Sequence, residues 1–239
     1  MSAYTSKEAL KEVEALGARQ SSIYVYEAPV RLWHWINALA MTLLALTGWF
    51  IASPLPSVPG EATDNFLMGY IRYVHFAAGY VVAIAFIGRI YWAFVGNRHA
   101  RQIFFVPVWD RQWWSEVVFE AKWYAFLERD PKKYVGHNPL AHLAMFGFVF
   151  LTAFMIVTGF ALYAEGTGQD SWQWAMFGWV IALFGDSFSV HTWHHVGMWG
   201  LILFTMIHVY AAIREDIMSR QTMVSTMING LRSYKDDQP

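Results

Sequence analysis

The sequence predicts an all-α integral membrane protein, a four-helix bundle with N-in/C-in topology and amphipathic helices lying at its interfaces. Three observations carry that prediction: composition, four long apolar runs, and a one-sided distribution of Lys and Arg. Of 239 residues, 56% are hydrophobic and only 15% charged, too apolar a balance for an ordinary soluble domain. The formal net charge of -1, with no basic stripe interleaved by aromatics, gives nucleic acid nothing to bind. Cysteine is absent, which excludes disulfides, thiolate-held iron–sulfur clusters and covalently tethered c-type haem.

Taken in order, TSKEALKEVEALG reads as a short soluble helix, with Thr5 and Glu8 spaced as a capping box and Gly17 at its end. The first 30 residues lack the short apolar core of a secretory signal, so the N-terminus is expected to stay where it is made. Residues 1–23 form a cytoplasmic arm in this reading, and 24–239 a membrane domain. A hydrocarbon core about 30 Å thick needs about 20 mostly apolar helical residues. Four segments qualify, near 33–52, 69–95, 140–164 and 192–213. The run WQWAMFGWVIALFG at 172–185 is too short to cross and too rich in tryptophan, so it reads as an interfacial helix. The charged and aromatic segment 107–127 is expected on the opposite surface.

The connections set the direction. Residues 53–68 and 165–191 contain no Lys or Arg, whereas 96–139 holds Arg98, Arg101, Arg111, Lys122, Arg129, Lys132 and Lys133. The flanking segments add Lys7, Lys11, Arg19 and Arg31 at one end and Arg214, Arg220, Arg232 and Lys235 at the other. Cytoplasmic loops carry the excess of positive charge, which predicts a multi-pass membrane protein with both termini cytoplasmic.

Direction converts position into depth. His34 and His208 fall near the cytoplasmic level, His75 and His194 near the outer level. From His194 to His208 is a step of about four helical turns less about 40°, with a rise of about 21 Å, so both rings leave nearly one face. His195 is out of phase with His208 by about 140°. Imidazoles kept from water need a partner. Two matched pairs on one axis are what two bis-histidine haems require, His75/His194 outside and His34/His208 inside. Gly48 and Gly79 would let a flat macrocycle approach the backbone. Arg31 and Arg72 each precede a proposed ligand by three residues and could pair with a propionate, and Arg89 falls at the depth of His208. An offset of 119 aligns GRIYWA with IHVYAA, and TGW at 47–49 echoes TGF at 158–160, which hints at a duplicated hairpin.

Blander readings stand beside these. Helix-end histidines often sit at the interface, and that is the simpler account of His99, His137, His142, His191 and His195. HTWHH lacks the H-E-x-x-H arrangement of zinc enzymes. Gly48 and Gly79 could serve helix packing, and Arg31 and Arg72 could snorkel. A stand-alone dihaem reductase, or a non-redox anchor or transporter, is the competing function class.

The segments EAPVRLWHWINALAMTLLALTGWFI, PLPSVPGEAT, MGYIRYVHFAAG, GHNP, TGFALY, HTWHHVGMW and REDIMS resemble the b-type cytochrome subunit of membrane-bound nickel–iron hydrogenases, over about residues 24–235. The chain is also similar to the four-helix cytochrome subunit of respiratory formate dehydrogenase. The resemblance implies two haems b passing electrons from the iron–sulfur relay of a periplasmic hydrogenase to quinone, with quinol protons drawn from the cytoplasm. It implies as partners the hydrogenase small subunit, with its C-terminal membrane helix, and the large subunit, which alone activates dihydrogen. By analogy with formate dehydrogenase, quinone would sit near His208 and the GHNP turn, at His137 and Asn138. An outer quinone site is the competing placement. The acidic loops 61–64 and 165–170 are candidate partner contacts.

Overall fold

The computed structural model describes residues 22–56, 59–61 and 64–234; the short helix expected from Thr5 to Gly17 lies outside the described residues. In chain order these form β1 (Ile23–Tyr24), α1 (Ala28–Ala52), α2 (Leu67–Val95), α3 (Arg111–Tyr124), α4 (Pro139–Thr167), α5 (Trp172–Phe177), α6 (Trp179–Phe184), α7 (Ser187–Met218), α8 (Met223–Asn229) and β2 (Leu231–Arg232). The all-α expectation holds, and α1, α2, α4 and α7 are long and apolar enough to cross a membrane. Only 11% to 22% of each apolar window is buried. Leu39, Ile84, Ile87 and Met206 are each about two-thirds exposed, as befits helices whose solvent is hydrocarbon.

The helices overrun the spans predicted from hydropathy because capping, not hydropathy, fixes their ends. Asn138 caps α4 by accepting from the Ala141 N–H at 2.7 Å, and Pro139 follows where a missing N–H costs nothing. Asp186 does the same for α7, accepting from Ser189 N–H at 2.7 Å. The run 172–185, expected as one interfacial helix, is two: α5 starts on Ser171, whose hydroxyl accepts from Trp174 N–H, and the chain breaks at Gly178 before α6.

The chain divides into two compact units. One comprises the chain up to His34, Arg89–Val149 and the chain from Thr205. Its core gathers Val25, Tyr26, Val30, Ala100 and Val135, with Trp92, Met227 and Tyr234 packed against them. A second cluster sets Val106, Trp113 and Val117 of the α3 side against Leu140, Leu143 and Phe146 of α4. β1 and β2 pair antiparallel, Ile23 opposite Arg232, a contact that the hydropathy pattern did not predict. Polar stitches close the same unit. Glu27 Oε2 accepts from Trp92 Nε1 (3.0 Å) and from the Asn97 N–H (2.8 Å). Arg232, 2% exposed, donates to the carbonyls of Tyr134 (3.2 Å) and Gly136 (2.6 Å).

The other unit comprises Trp35–Gly88 and Phe150–Phe204. Its core is Ala161, Val180 and Val190, with Val157, Phe177 and Phe184 against them. Phe160 stacks on Phe177 and takes Tyr80 edge-on.

Candidate functional site

In the second unit, α2 presents His75 and α7 presents His194, each against a Thr-Gly pair on a neighbouring helix. His75 Nδ1 lies 2.9 Å from Thr47 Oγ1, and His194 Nδ1 lies 2.8 Å from Thr158 Oγ1. Each threonine has one hydroxyl proton, and each donates it to its own helix: Thr47 to the Leu43 carbonyl at 2.6 Å, Thr158 to the Phe154 carbonyl at 2.8 Å. With that proton on the backbone carbonyl, the threonine oxygen accepts from the imidazole Nδ1–H, the tautomer that leaves Nε2 with a lone pair. That is the tautomer a metal ligand needs, fixed by an outer hydrogen bond.

The glycines make room for the rings. A methyl group at Gly48 would lie 3.3 Å from His75 Cε1 and 3.4 Å from Met198 Sδ; one at Gly159 would lie 3.2 Å from His194 Cε1. Gly48, expected to admit a macrocycle, here admits the His75 imidazole itself. At Gly79 a methyl would meet no protein atom within 4 Å, so that stretch of α2 is open. His75 and His194 lie within Coulombic reach of each other, as the depth argument paired them. His195 is exposed and stacks on Trp199, centroids 6.4 Å apart, pointing away from the Thr158 side as the helical phase required.

In the first unit, α1 and α7 bring His34 and His208 together, ring centroids 6.2 Å apart and planes tilted 54°. At that spacing one metal ion could bond a nitrogen of each ring, at about 2 Å per bond. Arg89 of α2, 3% exposed, lies between the faces of Trp33 and Phe104 at 5.5 and 5.3 Å and donates one N–H to the Ala100 carbonyl. Its Nε and Nη1 have no hydrogen-bond partner among the described residues. A buried cation with two open donors is costly unless an anion meets it. Arg31 donates to the Ile228 carbonyl through Nη1 and keeps Nε open. Arg72 is exposed.

The GHNP turn lies in the same unit. His137 Nδ1 is 3.1 Å from the Tyr26 hydroxyl and 3.5 Å from Gln102 Oε1. Burial, then the neighbouring His142 and Arg232, drives the His137 imidazole well below its ordinary value, so it is neutral at physiological pH. Burial also pushes the His99 imidazole down to about 4. Gly136 is required at this corner: its φ is +85°, and a methyl there would come 2.5 Å from Gln102 Oε1 and 3.0 Å from His99 Nδ1. Asn138 is spent capping α4 through Oδ1 and also bonds the Tyr124 side chain.

Sequence reasoning found the four paired histidines and missed what holds them. The signal for Thr47 and Thr158 was present in the TGW and TGF repeats, read only as a trace of duplication. Tyr26, Gln102 and Arg232 around His137 had no local signature, since they arrive from 111, 35 and about a hundred residues away.

The comparisons fit this geometry. Among similar proteins, 64% identity over 222 residues, 92% of each chain, relates it to the "Probable Ni/Fe-hydrogenase B-type cytochrome subunit" of Azotobacter vinelandii. A protein of that name from Cupriavidus necator is 60% identical over 223 residues, 93% of this chain and 91% of the other. The "Probable Ni/Fe-hydrogenase 1 B-type cytochrome subunit" of Escherichia coli K12 is 52% identical over 221 residues, 90% and 92% of the two chains. The family profile described as prokaryotic cytochrome b561 matches residues 25–230, both histidine pairs included, and the chain belongs to that family.

Proposed function

We propose that this multi-pass membrane protein is the electron-transfer subunit of a nickel–iron hydrogenase, a dihaem cytochrome b that delivers electrons from the hydrogenase iron–sulfur clusters to membrane quinone. The observation that carries the reading is the paired tautomer device: Thr47 and Thr158 hold the proton of His75 and His194 on Nδ1 and turn Nε2 into a ligand. The hydrogenase attribution is supported by the names of relatives that match nearly the whole chain.

In this reading His75 with His194 would hold one haem iron and His34 with His208 the other. Bound haem b supplies a one-electron iron couple whose potential its surroundings tune. The rest is the work of the chain. The threonines fix ring orientation as well as tautomer. Apolar α1, α2, α4 and α7 keep water away from the ligands. Arg89 offers its two open donors to a propionate of the His34/His208 group, with Arg31 in support, while exposed Arg72 stands three residues before His75. The open stretch at Gly79 admits a flat ring. Residues 24–239 act as one cytochrome domain behind an N-terminal arm, in the inner membrane, both termini cytoplasmic by the positive-inside rule. Electrons enter at His75/His194 from the small subunit and leave at His34/His208. Quinone binds at the His137 and Asn138 corner, whose neutral imidazole can hydrogen-bond a carbonyl oxygen.

Purified from membranes, the chain is expected to carry two haems b by pyridine haemochrome assay and to copurify with the hydrogenase small and large subunits. A colourless preparation from haem-sufficient cells would overturn the reading; dihaem material without hydrogenase would make it a stand-alone reductase. Thr158→Val keeps side-chain shape and removes the acceptor. It is expected to speed haem loss to apomyoglobin about tenfold, and an unchanged rate would remove the tautomer argument. His137→Ala with Asn138→Ala is expected to abolish quinone-linked haem oxidation while haem content holds.

A further inference from the structure

A group of buried carboxyls in the first unit has no part in haem or quinone binding as described. Glu116 and Glu120 of α3 and Glu215 of α7 are 6%, 2% and 5% exposed. Lys132, 38% exposed, pairs with Glu116 at 3.0 Å, which makes this the aqueous end. The Tyr134 hydroxyl donates to Glu116 Oε2 at 2.6 Å. Tyr134 also bonds Glu120. That bond favours the ionised form of Glu120, and burial together with the neighbouring Glu215 outweighs it in favour of the proton. The other Glu120 oxygen, Oε1, has no hydrogen-bond partner among the described residues. Within electrostatic reach of Glu120 stands Glu215, whose Oε1 accepts from Trp123 Nε1 at 2.8 Å. Tyr124 bonds both Glu215 and Asn138. The cation next to Glu215, Arg214, faces the rings of Trp123, Tyr124 and Phe126 and donates to the Trp123 carbonyl.

A buried carboxyl with one unused oxygen is a liability that an apolar residue would not carry. We propose that Glu120 is the proton-holding step of a relay from Lys132 and Glu116 through Tyr134 and Glu120 to Glu215, Tyr124 and Asn138, which supplies protons to quinone. The proposal rests on the quinone reading above. For each quinone reduced, two electrons arrive from haem and two O–H bonds form on the quinone oxygens. Both protons leave the Glu120 carboxyl in turn, and each O–H bond broken there is remade with a proton from water at the Lys132 side. The open Oε1 hands the proton toward Glu215, whose nearby carboxyl favours keeping the proton on Glu120 until the quinone takes it. Burial, then Glu215 and in smaller part Glu116, pushes the Glu120 carboxyl up to about 8, against the opposing pull of Tyr134 and Lys132.

The experiment uses the full haem-loaded chain, reduced with dithionite and reoxidised in stopped flow by menadione, which needs protons, or by ferricyanide, which does not. In Glu120→Gln, menadione-driven oxidation is expected to fall about a hundredfold, with ferricyanide oxidation and haem content unchanged and Glu120→Asp partly restored. The native menadione rate falls as pH rises through about 8, because the donor is lost; the Gln variant lacks that limb. A redox infrared difference spectrum should contain a protonated-carboxyl C=O band that Glu120→Gln removes. The carboxyl value is raised on folding, so native stability declines from about pH 4.5 toward 8 and the variant does not follow. Menadione oxidation of Glu120→Gln at the native rate across pH, or no such carboxyl band in the native chain, overturns the relay alone. A native chain oxidised by ferricyanide and never by menadione overturns the quinone reading, and the relay with it.

Discussion

Replacing His208 by alanine is expected to halve the haem content of the chain, and His34→Ala to do the same, with the spectrum of the remaining haem unchanged in both. Their rings face each other at 6.2 Å, so either substitution leaves the partner one ligand short. His75→Ala and His194→Ala should remove the other haem and leave this one. Double variants are diagnostic: His34→Ala with His208→Ala loses no more haem than either alone, whereas His34→Ala with His75→Ala leaves none. His195→Ala, a change at an exposed ring stacked on Trp199, should keep both. Pyridine haemochrome counts on purified protein decide the matter; haem loss in His195→Ala but not in His194→Ala would refute the assignment.

The largest stability effect is expected at Arg232. Arg232→Met retains the aliphatic stem and removes the donors that hold the carbonyls of Tyr134 and Gly136, and with them the bond to the Tyr26 hydroxyl. The Tyr134 carbonyl keeps the Tyr234 hydroxyl at 3.1 Å, so the loss falls on the Gly136 carbonyl and the Tyr26 hydroxyl; at about 1–3 kcal/mol each, the total is about 2–6 kcal/mol. The thermal midpoint of the detergent-solubilised chain should fall accordingly, and trypsin should cut after Arg220 faster. A midpoint unmoved by the substitution would show that the C-terminal segment carries no load.

The sequence made the four long helices legible because a membrane span announces itself through sustained hydropathy. Their ends were less legible, since Asn138, Ser171 and Asp186 act through single capping bonds that a hydropathy window averages away. The β1 and β2 pairing was invisible: two residues on each side carry no alternation to read. Within the site, the direction of each span paired His34 with His208 and His75 with His194 by depth, and helical phase set His194 and His208 on one face, because fixed rotation per residue turns spacing into direction. Glu116 and Glu120, one turn apart on α3, fall in the charged and aromatic segment 107–127 expected on a membrane surface, with nothing local to mark them as buried. They are buried because Tyr134 and Glu215 cover them, the latter from some ninety residues further along the chain. Local pattern cannot foresee a cover supplied from so far away.

The strand pair Ile23–Tyr24 with Leu231–Arg232 has a consequence for biogenesis. The lid over the Tyr134–His137 turn is made from the earliest and latest described segments of the polypeptide, so it cannot shut until residue 232 has left the ribosome. The unit built from Trp35–Gly88 and Phe150–Phe204 needs nothing translated after 204. Maturation thus has an order written into the topology: one half of the chain can finish during translation, while the other waits for the final residues to fasten it.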